Sequence, residues 1–149
     1  MQFAARSLIV FAVLAAAPFA QAQQKNNPFL ESLGALAAAQ LYTTHAYIGV
    51  TGDAFVAKAY KAKQVRAQMT ETAGMIDNVS RYLVKAAGEH ITPEDKLFLQ
   101  EAVGIFGLLK QQALALKSYA GTGQKTDAEA YQAQRQAAWS RIKKLLNIK

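Results

Sequence analysis

The sequence predicts an all-α protein: an antiparallel up-down-up-down four-helix bundle behind a cleaved signal peptide. Three observations lead there. Beyond Pro28 the only proline is Pro93. Alanine, leucine, lysine and glutamine dominate, and no segment alternates apolar and polar residues as a half-buried strand does. Four runs instead repeat apolar residues at spacings of three and four, each bounded by recognisable helix ends.

The N-terminal stretch MQFAARSLIVFAVLAAAPFAQAQ has the pattern of a secretory signal. Arg6 is its one charge, an apolar run covers residues 8–17, Pro18 breaks it, and Ala20-Gln21-Ala22 supplies small-x-small. The run is shorter than the roughly 20 residues a spanning helix needs, so cleavage is expected and not anchoring. The expected organisation is a signal peptide over 1–22, a flexible leader over 23–28 and a bundle domain over 29–149. Cleavage leaves about 127 residues, enough for one domain with its own core and no transmembrane span. The expected location is the periplasm or the exterior.

The chain has no cysteine, which excludes disulfides, c-type haem attachment, thiolate zinc and N-terminal lipidation. Its 17 basic and 10 acidic residues give a net charge of +7. The signal carries only one of those bases. Such a surplus favours an anionic envelope component as partner over nucleic acid, for which no motif is present.

Helix one, over 29–50, is expected to start from an Asn27 cap with Pro28 in the first turn. Leu30, Leu33, Ala37, Leu41, Thr44 and Ile48 form its inward stripe. Gly49 and Gly52 predict a tight bend, with Thr51 or Asp53 capping the next helix. Helix two, over 53–87, carries Phe55, Val65, Met69, Ala73, Ile76 and Leu83 inward and stops at Gly88. Asp77 and Arg81 are expected to pair on its outer face. At about 35 residues it would span roughly 52 Å, against roughly 33 Å for helices one and four. A bend near Gly74, helped by Thr70 and Thr72, would accommodate the excess.

Helix three, over 93–120, has the clearest start: Thr92 as cap, Pro93 first, then Glu94 and Asp95 at the positive end of the dipole. Phe98, Ala102, Ile105, Leu109, Leu116 and Tyr119 point inward, and Gly121 and Gly123 end it. The run AVGIFGLL, apolar all round, makes this the most buried helix. Helix four, over 127–147, opens on Thr126-Asp127-Ala128-Glu129, a capping-box pattern, and buries Tyr131, Ala138, Ile142 and Leu145.

One candidate ligand pocket emerges, at Tyr42, His45, Tyr47 and Phe55. Tyr42, His45 and Gly49 share a helix face, so His45 is either a ligand-facing group or a flank histidine bonded to a neighbouring helix. His90 falls at the opposite end of the bundle and cannot share an ion with it. The Glu-x-x-His pairs of di-iron bundles are absent. A haem held by His45 with Met69 or Met75 is the better metal alternative, but Met69 misses His45 by roughly 13 Å of helical rise, and both methionines read as core filler.

No serine lies in a nucleophile-elbow pattern, and GTGQKT lacks the strand and residue order of a phosphate loop. Glu71 and Glu101 read as surface acids. No catalytic residue, metal or cofactor is therefore assigned. Lys58, Lys61, Lys63 and Arg66 form a basic cluster on the first turns of helix two, joined by Lys117 and Lys125, suited to an anionic partner. Gly104 and Gly107 on helix three would allow close approach of a second copy. The expected function is that of a non-catalytic binding or structural module of the bacterial envelope, or alternatively a carrier of a small ligand near His45.

Overall fold

A computed structural model of the chain describes residues 28–148. The signal peptide, the Asn27 cap and most of the leader lie outside the described residues. Those residues form four helices and no strand: α1 (Pro28–Val56), α2 (Ala62–Ala87), α3 (Pro93–Thr122) and α4 (Lys125–Leu146). None of them is long and apolar enough to cross a membrane.

α3 is the central element and packs against the other three, with α2 and α4 on its flanks and α1 laid along it. Among the described residues the backbones of α2 and α4 do not come within 8 Å of each other, Cα to Cα. Leu41, Ile48, Val65, Met69, Ile105, Phe106, Leu109, Leu116 and Ile142 are completely buried between them. The expected stripes supply most of this core. The apolar run of α3 contributes Ala102, Ile105, Phe106 and Leu109, as its all-round apolar character implied. Met75 is the exception, 43% exposed on the outer face of α2 and not core filler.

The largest difference from expectation is the first turn. α1 does not bend at Gly49 and Gly52 but continues through both to Val56. These glycines make room for α4. A Cβ on Gly52 would stand 2.5 Å from the Tyr131 hydroxyl, and one on Gly49 would stand 3.0 Å from Arg135 Nη2. The chain turns instead just past Val56, at Lys58, which lies in the left-handed region with φ 59°. Ala59 N–H donates to Ala54 C=O at 2.9 Å and Lys58 N–H to Phe55 C=O at 2.9 Å, the two bonds of a Schellman ending without its usual glycine.

α2 is consequently 26 residues long, with Lys61 as an N-cap that makes no side-chain capping bond. At about 39 Å it is no longer than its neighbours. The overhang that called for a bend disappears, and the helix runs unbroken through Gly74. Asp77 pairs across to Lys110 at 2.7 Å, while Arg81 bonds Asn78 on its own helix. α3 starts as expected: Asp95 N–H donates to Thr92 Oγ1 at 3.1 Å, and Gly123 closes the helix at φ 67°. The capping box of α4 does not form. Asp127 turns back to accept from Ser118 and Thr122 at the end of α3, and Gln124 is the N-cap without a side-chain bond.

Candidate functional site

Helical spacing sets Tyr42 and His45 one turn apart on α1, and Gln132, Arg135, Gln136 and Trp139 at spacings of three and four on α4. The two stripes face one another across an open groove of about 380 Å³. His45 is held from two sides. Its Nδ1 lies 3.2 Å from Gln112 Oε1, on the fully buried side chain that α3 contributes beneath the groove. Its ring stacks on Trp139 with centroids 5.3 Å apart and planes 12° from parallel. Tyr42 flanks the same indole at 6.1 Å, tilted by 57°.

Burial holds the His45 imidazole below its ordinary range, the bond to Gln112 works against that, and the nearby Arg135 charge adds to it. The ring is therefore neutral near pH 7. An amide oxygen opposite Nδ1 accepts only from the tautomer protonated there, the one that leaves Nε2 as an acceptor. Gln112 is the only hydrogen-bond partner of His45 among the described residues. Among the described residues no carboxylate or hydroxyl is hydrogen-bonded to the ring.

Arg135 is fixed by Asp53, with Nη1 to Oδ1 at 3.0 Å and Nη2 to Oδ2 at 3.4 Å. The Asp53 hydrogen bond raises the guanidinium further, and partial burial opposes it. Beneath this pair Tyr131 Oη donates to the Ile48 carbonyl at 3.3 Å, and burial pushes its hydroxyl above the ordinary phenol range. Gly49 and Gly52 bring α4 close enough to α1 for these contacts.

Of the four residues expected in this pocket, Tyr42 and His45 line it. Tyr47 is 44% exposed outside the groove. Phe55 stands edge-on to Tyr119 at 5.4 Å, at the margin of the core. Among the described residues no three His, Asp or Glu side chains are grouped as a metal would require. His90 is exposed in the α2–α3 connection.

Of the basic cluster, Lys63 and Arg66 line a second open groove with Thr70 and Lys117. Lys58 and Lys61 lie in the α1–α2 connection and do not line it, because the helix they were expected to occupy starts later. Lys125 stands 3.5 Å from Glu129 on its own helix. Glu101 is bound by Arg141, at 2.9 Å and 2.6 Å, which holds its carboxyl below the usual range. That same arginine lies over Gly104, 2.9 Å from where a Cβ would stand, so this glycine offers no bare surface to a second copy.

The residues that sequence reasoning missed are those on α4 and the buried Gln112. The signal was present in the helical spacing of 132, 135, 136 and 139, one face of polar and aromatic residues ending in the chain's single tryptophan. No protein-family model matches the chain, and neither does any curated protein or solved structure.

Proposed function

We propose that this chain is an exported, non-catalytic binding module of the bacterial cell envelope whose α1–α4 groove takes an uncharged, hydroxyl-bearing ring, a sugar unit. The observation that carries this reading is the groove's electrical balance combined with its lining. Arg135 is neutralised by Asp53, and His45 is uncharged through burial. An anion would find no free cation there, and a cation would meet Arg135. What remains are the indole of Trp139, the ring of Tyr42 and the amides of Gln132 and Gln136. Aromatic faces suit the weakly positive C–H face of a sugar, and amides both donate to and accept from hydroxyls.

Support for export is the N-terminal signal pattern. Support for the antiparallel up-down-up-down arrangement is the order of the cross-helix pairs. Between α2 and α3, Arg66 lies beside Gly121 and Asp77 meets Lys110; between α3 and α4, Glu101 meets Arg141 and Ser118 meets Asp127.

Retention on immobilised uncharged oligosaccharides tests the function. The full chain is expected to be retained on an N-acetylglucosamine or a glucose oligosaccharide column. Replacing both Gln132 and Gln136 by alanine is expected to abolish retention while leaving the helical circular dichroism unchanged. Equal elution of the two proteins contradicts the proposal.

A further inference from the structure

Away from the aromatic groove, Lys63, Arg66 and Thr70 of α2 and Lys117 of α3 enclose an open groove of about 330 Å³ that no carboxylate lines. Among the described residues, none of its three cations makes an ion pair or a side-chain hydrogen bond. The contrast with other cations is plain: Lys110, Lys125, Arg135 and Arg141 each have an acid within 3.5 Å. The first turn of α2 also holds no acid, and its N-cap gives no side-chain bond.

Three like charges gathered on two helices repel one another, and among the described residues no carboxylate pairs with any of them. The Thr70 hydroxyl already donates to the Arg66 carbonyl at 2.8 Å, so the protons on offer come from the two ammonium groups and the guanidinium. The Arg66 stem rests against Gly121, with Cδ and Nε 3.8 Å from where a Cβ would stand.

We propose that this groove binds a phosphoryl group, free or as a phospholipid headgroup. A phosphate carries up to two negative charges and several acceptor oxygens. It therefore suits a planar guanidinium fork flanked by two ammonium groups better than a carboxylate does. The site is independent of the sugar groove, and neither proposal depends on the other. The plainer alternative is that the cations merely offset the negative end of α3. That alternative predicts a stability loss on their removal and no change in anion binding.

The test uses the full chain and two probes at fixed ionic strength, because exposed charges are screened over about 10 Å at 0.1 M salt. Inorganic phosphate is followed by the melting temperature. Vesicles of phosphatidylglycerol, with phosphatidylcholine as reference, are followed by co-sedimentation. Lys63→Gln with Lys117→Gln is compared with Lys143→Gln with Lys144→Gln, an equal charge loss at the end of α4.

The expected result is saturable stabilisation by phosphate in the wild type and the α4 pair, with affinity about tenfold weaker in the groove pair. Co-sedimentation with phosphatidylglycerol alone, showing the same dependence on the groove pair, identifies a headgroup as the source and equally supports the site. Equal losses in both double variants, or no binding of either probe by the wild type, overturn the proposal.

Discussion

At the level of single residues, the site depends on how closely α4 approaches α1. Gly52 leaves the space that the Tyr131 hydroxyl occupies, so Gly52→Ala should destabilise the fold by about 1–3 kcal/mol through overpacking. Adding Tyr131→Phe should restore part of that loss by removing the nearest of the crowding atoms, the ring carbon at 2.9 Å remaining, and urea midpoints in a double-mutant cycle measure the recovery.

His45 makes a second residue-scale prediction. Its folded value is depressed below 6.5 chiefly by burial. The unfolded chain therefore takes up a proton at a higher pH than the folded one. Stability should fall as pH drops from about 7 toward 5 and be indifferent to this group above that window. Urea midpoints across the window should decline less steeply in His45→Gln than in the wild type.

Tyr42 and His45 were legible from helical spacing alone. The shared face of Arg135 and Trp139 was equally open to that reading, but its adjacency to α1 was not, because that is a tertiary fact. Gly49 and Gly52 were misread for the same reason. A glycine pair serves a turn or a close approach equally well, and the side chains that decide between them come from α4.

At the level of elements, helix ends governed by local chemistry were readable and those governed by distant partners were not. Thr92, Pro93 and Gly123 bound α3 through bonds within a few residues of each other. The Thr126–Glu129 capping box does not form because α4 starts earlier, at Lys125, while Asp127 is held by Ser118 and Thr122 of the preceding helix. The ending of α1 at Lys58 had no glycine to announce it.

That ending places a lysine where glycine is preferred, so Lys58→Gly should stabilise the protein by roughly 0.5–1 kcal/mol. Gly74 lies inside α2 with nothing within 4 Å of a built Cβ. Gly74→Ala should therefore stabilise by about 0.5–1 kcal/mol, since no bend there needs the glycine's freedom. Thermal melts read both changes, and destabilisation by Gly74→Ala would restore the case for a bend.

At the level of the whole molecule, four helices and most of the core were legible because apolar periodicity reports burial directly. The arrangement of those helices was less so. α3 touches all three partners, and among the grooves at the helix seams are the one between α1 and α4 and the basic one between α2 and α3. The two differ in character: one is aromatic and charge-balanced, the other basic and uncompensated. Composition alone offered only the overall positive charge and could not divide it between them.

The central claim, that the α1–α4 groove binds an uncharged sugar ring, is tested most directly by the fluorescence of Trp139, the single tryptophan of the chain. Titration with an N-acetylglucosamine or a glucose oligosaccharide should give a saturable change with at least one of them. That change should be lost in Tyr42→Ala and in Gln136→Ala and retained in Lys63→Gln. A flat response to both sugars, or a response that survives Tyr42→Ala and Gln136→Ala, would contradict it.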